Sequence, residues 1–233
     1  MIKDLPIFFE NKDFNNFVFK DEKTKVIIKN FNNKINNLFI YGKPGTGKTH
    51  LAVSILKTVR MMIVNSEKAK ENKEKLQNKI MALKTIQEAV VKSTFFSERI
   101  LTLEKMLRDG EYKYSAADHL FINFLEFLFR LSESFQEKNS RIKIINGILS
   151  AGYNILLFDD FGSGKQTESA IQNIYYIINS CYEKKQRFII TSNFNIDYFY
   201  HCDPRLGGRL KEICAELFLD GADNRIKKGV QND

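Results

Sequence analysis

One segment of the sequence fits the pattern G-x-x-x-x-G-K-[ST] at every position. It consists of Gly42, Lys43, Pro44, Gly45, Thr46, Gly47, Lys48 and Thr49. The apolar run Leu38–Tyr41 before it is typical of a buried parallel strand, and the residues after it carry apolar side chains at helical spacing. A strand, a glycine-rich turn and a helix in this order direct backbone N–H groups and a helix N-terminus towards one anion. The segment therefore predicts a phosphate-binding loop.

Two side chains of this loop have the chemistry that a nucleoside triphosphate requires. The Lys48 ammonium is expected to reach the β and γ phosphates, and the Thr49 hydroxyl is expected to ligate Mg²⁺. The loop residues and His50, which follows them, form the predicted ATP-binding set. ATP and Mg²⁺ are therefore the predicted cofactors.

A pair of carboxylates follows a second apolar strand. Asp159 and Asp160 come directly after Asn154–Phe158. In enzymes with such a loop, the acid of the neighbouring strand holds Mg²⁺, so Asp159 is predicted to be the metal residue and Asp160 to orient or deprotonate the attacking water. Asn193, after a third apolar strand, is predicted to hydrogen-bond this water or the γ-phosphate, unless it merely closes a turn. Lys48, Asp160 and Asn193 are thus candidate catalytic residues.

Apolar runs that alternate with helical segments predict an α/β fold with helices on both faces of a five-stranded parallel sheet. The predicted strands are Leu38–Tyr41, Ser93–Ser97, Asn154–Phe158, Arg187–Ser192 and Ala215–Leu219. Residues 118–149 are interpreted as helical. Residues 1–36 are predicted to be a lead segment that packs on an ATPase domain at 37–233. Within that domain, residues 65–92 form a predicted helical insertion with an apolar stripe: Leu76, Ile80, Leu83, Ile86 and Val90.

The formal net charge of +8 indicates an anionic partner, with nucleic acid as the usual one, unless it reflects a lysine-rich solvated surface. The N-terminus lacks the apolar core and the cleavage site of a signal peptide. The most apolar run, Phe121–Leu131, is too short to cross a bilayer. Cys181, Cys202 and Cys214 lack metal-ligand spacing and are interpreted as buried thiols. A soluble cytoplasmic protein without a membrane partner is predicted.

Five segments together resemble a known family of bacterial ATPases. They are GKPGTGKTHLA, ILLFDDFGSGKQTE, FIITSNF, DPRLGGRL and GADNR, and they lie between Phe14 and Arg225. These segments are similar to those of the DnaC/DnaI helicase loaders and of the IstB transposition ATPases, which belong to the AAA+ class. The resemblance implies a three-layer P-loop NTPase of the AAA+ type with a short C-terminal lid. It also implies that the strand ending before Asn193 lies between the phosphate-loop strand and the strand of Asp159.

The same resemblance implies partners and three arginine roles. A loader assembles with itself in the ATP state on single-stranded DNA and acts on a replicative hexameric helicase. Arg209 matches the arginine finger that reaches the ATP of a neighbouring subunit, Arg205 accompanies it, and Arg225 matches the second sensor, which contacts the γ-phosphate in cis. Without the resemblance, each arginine would be interpreted as a surface residue. Cys181 departs from the family, which commonly has an arginine directly before Tyr182.

Three functions remain open at this point. The first is a DnaC-like helicase loader on single-stranded DNA, and the second is an IstB-like transposition ATPase that coats duplex DNA. The third is a nucleotide-switched DNA-binding module with little turnover. Asp160 stands where the wider class usually has Glu, so slow hydrolysis is expected. A preference for single or double strands separates the first two functions, and turnover no faster than that of Lys48→Ala favours the third.

Overall fold

The computed structural model describes residues 5–19, 21–31, 36–64, 76–84, 101, 103–105, 119–133, 140–221 and 223. Its helices are α1 (Glu22–Asn30), α2 (Lys48–Val64), α3 (Phe124–Glu133), α4 (Ser140–Ser150), α5 (Glu168–Glu183), α6 (Ile196–Cys202) and α7 (Pro204–Ile213). Its strands are β1 (Asn37–Tyr41), β2 (His119–Asn123), β3 (Ile155–Phe161), β4 (Phe188–Ser192) and β5 (Cys214–Phe218).

The five strands form one parallel sheet in the order β2-β3-β4-β1-β5. Strand β4 lies between β1 and β3, so the predicted order of the phosphate-loop strand, the Asn193 strand and the acidic strand is confirmed. Every residue of β4 is buried, as expected for a central strand with helices on both faces. This order brings the carboxyl ends of β1, β3 and β4 together at one edge of the sheet.

The two faces of the sheet carry separate hydrophobic clusters, which gives the predicted three layers. Phe39 of β1 belongs to the cluster that α3, α4, α5, α6 and α7 cover. Leu38 and Ile40, its neighbours along the strand, belong to the cluster that α2 covers. Successive side chains of a strand point to opposite faces, so these three residues alone require helices on both sides. The α/β fold class is confirmed.

The prediction for residues 118–149 was wrong at its start. His119–Asn123 is a strand, β2, and the chain then turns directly into α3. The reason is that apolar residues run on from Leu120 to Leu131 with few interruptions, and such a run has no periodicity that separates a strand from a helix. The predicted strand at Ser93–Ser97 lies outside the described residues.

The N-terminal residues lie along α2. Lys57 donates hydrogen bonds to the carbonyl oxygens of Phe9, Glu10 and Lys12, at 3.1, 2.6 and 2.7 Å. Four phenylalanines pack against the α2 cluster, whereas Phe8 is 71% exposed: the packed ones are Phe9, Phe14, Phe17 and Phe19. The lysine therefore joins three backbone carbonyls of the lead segment to α2, and the rings cover apolar surface of α2.

Parts of the predicted insertion and lid are described. Residues 76–84 are helical, and Leu76, Ile80 and Leu83 are buried, as the stripe predicted. Ile86, Val90 and most of the lid after β5 lie outside the described residues.

Of the thiols, Cys181 is buried, Cys214 is partly buried and Cys202 is exposed, so the prediction of three buried thiols was wrong for Cys202. No helix in the described part of the chain is long and apolar enough to span a membrane.

Candidate functional site

The phosphate-binding loop joins the end of β1 to the start of α2. Gly45 and Gly47 have φ angles of +76° and +95°, in the left-handed region that a residue with a side chain rarely adopts. A side chain at Gly45 would also overlap the carboxylate of Asp223. Thr46 donates its hydroxyl hydrogen bond to the carbonyl oxygen of Lys43 at 2.9 Å and closes the turn. The glycines thus permit the tight wrap that directs backbone N–H groups inward.

The Lys48 ammonium lies at the centre of the loop. It is buried and donates to the carbonyl oxygens of Gly42 and Lys43 at 2.9 and 2.8 Å. It also donates to the Oδ1 atom of Asn193, at the end of β4, at 2.9 Å. The ammonium of Lys48, at the start of α2, and the side-chain amide of Asn193, directly after β4, are therefore in direct contact. Asn193 thus lies beside the phosphate loop, and its role towards the attacking water or the γ-phosphate stays a prediction.

The carboxylate of Asp159 joins three elements. Thr49, in the first turn of α2, donates its hydroxyl to the Oδ1 atom of Asp159 at 2.8 Å. Thr191 of β4 donates to the same oxygen at 2.6 Å. Both predicted metal residues, Thr49 and Asp159, therefore lie side by side, although they are separated by 110 positions in the sequence.

Asp160 has a strained backbone. Its φ angle of +60° is uncommon for a residue other than glycine, and the pairing of β3 with β4 shifts register between Phe158 and Phe161. The amide of Asp160 donates to the Thr191 hydroxyl at 3.0 Å, which supports this conformation. The Asn193 amide lies 3.5 Å from the Asp160 Oδ1 atom. Strain of this kind costs about 1–3 kcal/mol and clusters at functional sites, where neighbouring groups hold it in place.

The electrostatics of Asp159 follow from its surroundings. Burial raises the pKa of Asp159 above its ordinary value, and the charge of Asp160 acts in the same direction. The hydroxyl hydrogen bonds from Thr191 and Thr49 and the charge of Lys48 oppose that rise in pKa but do not cancel it. Two acids that lie next to each other in a partly buried edge therefore destabilise each other unless a cation joins them.

The donor set at this edge fits a bound Mg²⁺. A carboxylate beside a hydroxyl offers the hard oxygen ligands that Mg²⁺ prefers, and the raised pKa of Asp159 is what a cation there would relieve. In the described residues, no group of three or more His, Cys, Asp or Glu side chains is placed to hold a metal. Mg²⁺ commonly takes one or two protein ligands and completes its shell with phosphate oxygens and water. Thr49 and Asp159 fit that use.

The structure places the other predicted residues away from these contacts. The His50 Nε2 atom is 3.0 Å from the carbonyl oxygen of Asp13, and its ring meets that of Phe17 edge to face at 5.2 Å, so it contacts the lead segment. Arg205 and Arg209 lie on α7, where they contact side chains of α5 and of α7 itself or its N-cap. Arg225 lies outside the described residues.

Thr191 is the site residue that the sequence analysis missed. It is 1% exposed, donates to Asp159 and accepts from the amide of Asp160, so one hydroxyl orients both acids. A signal was present in the sequence: a polar residue stands near the end of an otherwise apolar run, two positions before Asn193, which was already singled out. Buried hydroxyls require partners, and the acids at the end of the neighbouring strand were the available ones.

Comparison with known proteins finds relatives in structure alone. No protein-family model and no curated protein matches the chain. The crystal structure of the DnaC helicase loader superposes with a TM-score of 0.53 at 19% identity, over 92% of this chain and 100% of that one. DnaI gives 0.53 at 13% identity, over 95% and 94% of the two chains. AMPPCP-bound DnaA from Aquifex aeolicus gives 0.54 at 18% identity, over 95% of this chain and 55% of DnaA.

These similarities establish the fold. The chain has the AAA+ type of P-loop fold, as the resemblance implied, and it shares this fold with DnaC, DnaI and DnaA. The DnaA structure holds a nucleotide analogue, AMPPCP. At these identities, the similarity describes the architecture, and what this chain binds must be argued from its own residues.

The raised pKa of Asp159 predicts that Asp159→Asn stabilises the nucleotide-free protein at neutral and alkaline pH. A carboxyl whose folded pKa is raised holds its proton more tightly when folded, so stability falls as the pH rises from the ordinary aspartate value through the raised one. Asparagine is neutral and its Oδ1 atom can still accept from both threonines. The melting temperature of the variant should exceed that of the parent at about pH 8, and the gap should close towards about pH 4.

The measurement is thermal unfolding without nucleotide or metal across this pH range. In a domain of this size, each kcal/mol corresponds to about 2–4 °C. Asp220→Asn, which removes one carboxylate at an exposed position after β5, is the matched control for the change in net charge. An Asp159→Asn protein that melts below the parent at every pH would contradict the assignment of a destabilising charge.

Proposed function

We propose that this protein is a replication ATPase of the helicase-loader type, which binds ATP and Mg²⁺ and hydrolyses ATP slowly at the interface between subunits. The observation that carries the proposal is the convergence at one sheet edge: Lys48 contacts Asn193, and Thr49 contacts Asp159. A phosphate-binding loop, an acid pair and a polar amide in this arrangement are the parts that phosphoryl transfer requires.

Each part has a role that follows from its chemistry. The Lys48 ammonium supplies a buried cation at the loop, where the β and γ phosphates would lie. Thr49 and Asp159 would hold Mg²⁺, which when bound neutralises charge that develops on the phosphate oxygens. Asp160 would accept a proton from the attacking water or orient it, and Asn193, within reach of both Lys48 and Asp160, would align that water with the γ-phosphate.

Slow turnover is consistent with the geometry of the acid pair. Aspartate is one methylene shorter than the glutamate usual at the position of Asp160, and its backbone is strained at φ +60°. A shorter side chain on a constrained backbone has less freedom to reach a water molecule. The proposal therefore includes hydrolysis slow enough for the ATP state to persist and to control assembly.

The proposed assembly uses arginines in trans and in cis. Arg209 would act as the finger on the ATP of a neighbouring subunit, with Arg205 beside it, and Arg225 would contact the γ-phosphate of its own subunit. The subunits would form a homo-oligomer in the ATP state. The proposed partners are single-stranded DNA, consistent with the net charge of +8, and a replicative hexameric helicase. A neighbour in structure, DnaA, is known in a form bound to AMPPCP and single-stranded DNA.

Lys48→Ala is predicted to abolish ATP hydrolysis and to weaken ATP binding strongly, because it removes the buried cation of the loop. Asp160→Asn is predicted to bind ATP nearly as the parent does while turnover falls by about 10²-fold or more, the usual contribution of a positioned base. Equilibrium binding of a fluorescent ATP analogue and steady-state phosphate release measure the two effects. Hydrolysis at the parent rate by Asp160→Asn would refute the assignment of the water-handling acid.

Arg209→Ala is predicted to bind ATP almost normally and to hydrolyse it about 10³-fold more slowly, because a guanidinium at the γ-phosphate stabilises charge of the transition state. Mixing Arg209→Ala with Lys48→Ala should restore activity, since an interface can then combine an intact loop with an intact arginine. The total rate of hydrolysis by the parent should rise more than linearly with protein concentration. A constant specific activity and no recovery in the mixture would show that the chain works as a monomer.

Binding to DNA is predicted to favour single strands, to strengthen with ATP and to fall steeply with salt. Six or so phosphate contacts would weaken binding by about a thousandfold between 50 and 200 mM salt. Fluorescence anisotropy with matched single-stranded and duplex probes measures strand preference and salt slope. Preference for duplex DNA would favour a transposition ATPase, and capture of a hexameric helicase from the native host with ATP present would support the loader.

A further inference from the structure

Two arginines of α7 lie on two tyrosines of α5. The Arg209 guanidinium carbon is 3.9 Å from the centroid of the Tyr182 ring, and that of Arg205 is 4.9 Å from the Tyr175 ring. The two arginines are four positions apart, about one turn of α7, and the two tyrosines are seven positions apart, about two turns of α5. The arginines therefore share one side of α7, and the tyrosines share one side of α5. The shorter contact belongs to Arg209, which the proposed function assigns to catalysis.

Arg209 is held more closely than a surface arginine. Its side chain is 24% exposed, against 65% for Arg205, and its Nη1 atom donates to the Oε2 atom of Glu212 at 2.7 Å. The Nε atom of Arg209 is buried and has no hydrogen-bond partner among the described residues. Buried donors are normally paired, and an unpaired one on a functional side chain indicates a group whose hydrogen bonds are incomplete in this state.

The two contacts of Arg209 use different parts of the guanidinium group. A guanidinium stacks through its face and hydrogen-bonds through its edge. The Tyr182 ring, 3.9 Å from the guanidinium carbon, is close enough to contact the face, and Glu212 accepts a hydrogen bond from the Nη1 atom at the edge. A phosphate can replace Glu212 at the edge without disturbing the ring contact. The Glu212 side chain is 53% exposed, and ion pairs at that exposure are weak, so this exchange is inexpensive.

From this geometry we infer that Tyr182 is a positioning residue, which aims the Arg209 guanidinium towards the ATP of the neighbouring subunit while Glu212 holds its edge until that phosphate replaces it. The inference rests on the proposed role of Arg209 in trans. Tyr182 is 43% exposed, so its ring is at the surface, where a second subunit can approach the arginine that it supports.

The residue before Tyr182 favours the same conclusion. Cys181 is 0% exposed and belongs to the hydrophobic cluster under α5. A charged side chain at this position would be buried among apolar groups without a counter-ion, which is costly. Of Cys181 and Tyr182, it is therefore Tyr182 whose side chain is available to contact Arg209.

The test uses single-turnover ATP hydrolysis with protein in excess, together with the affinity for ATP. Tyr182→Leu should slow hydrolysis about two- to tenfold, the factor that a partly exposed cation–π contact corresponds to, with unchanged ATP affinity. Tyr182→Phe keeps the ring and should hydrolyse at the parent rate. Tyr176→Leu is the matched control. Tyr176 is 37% exposed on the same helix, and within the described part of the chain no cation lies over its ring.

A second background separates positioning from a structural role. In an Arg209→Ala protein, Tyr182→Leu should cause no further loss, because the group that it positions is absent. Glu212→Gln should hydrolyse ATP at or above the parent rate, because the phosphate then has no charge to displace. An equal loss from Tyr182→Leu in both backgrounds, or a loss from Glu212→Gln as large as that from Arg209→Ala, would overturn the inference.

The outcomes also separate this inference from the proposed function. Slow hydrolysis by Arg209→Ala with parent-rate hydrolysis by Tyr182→Leu would refute the positioning role alone. Parent-rate hydrolysis by Arg209→Ala would refute the trans arginine itself, and the role of Tyr182 with it. Slow hydrolysis by Arg209→Ala and by Tyr182→Leu, with parent rates for Tyr182→Phe and Tyr176→Leu, would support both.

Discussion

The Oδ1 atom of Asp159 accepts hydrogen bonds from Thr49 of α2 and Thr191 of β4, and the arrangement of the site depends on this shared oxygen. Through it, the end of β3 is joined to the first turn of the helix after the phosphate loop and to the central strand of the sheet. The two hydroxyls partly offset the unfavourable burial of the carboxylate, which still leaves its pKa raised. A buried carboxylate with a raised pKa lowers the stability of this edge at neutral pH, and the Mg²⁺ that we propose would offset that cost.

The strain at Asp160 follows from the same arrangement. Where Asp159 points towards Thr49 and Thr191, the pairing of β3 with β4 shifts register between Phe158 and Phe161, and Asp160 takes the left-handed conformation. As a result, two adjacent acids have different surroundings: Asp159 is partly buried, while Asp160 is exposed beside Asn193. Two adjacent acids in different surroundings could take the two different roles that we propose for them.

The lead segment contacts the phosphate loop, and α5 contacts the arginines of α7 that are proposed to act in catalysis. Phe17 lies against Gly47 and the ring of His50, so the N-terminal residues border the phosphate loop. On the other face of the sheet, α5 supports the arginines of α7 through two tyrosine rings. Both contacts use aromatic rings, one through its edge and the other beside a cation.

The sequence by itself determined the loop, the strands at β1, β3, β4 and β5 and the acids after β3, because glycine spacing, apolar runs and helical periodicity are local properties of the chain. It did not determine β2, since the apolar run at His119–Leu131 has no period that distinguishes strand from helix. The tertiary structure decided which groups Thr191 contacts, the left-handed conformation of Asp160 and the Tyr182–Arg209 contact. Each of these features depends on which residues of separate elements meet. Strand order and helix packing decide this, and local sequence patterns do not contain that information.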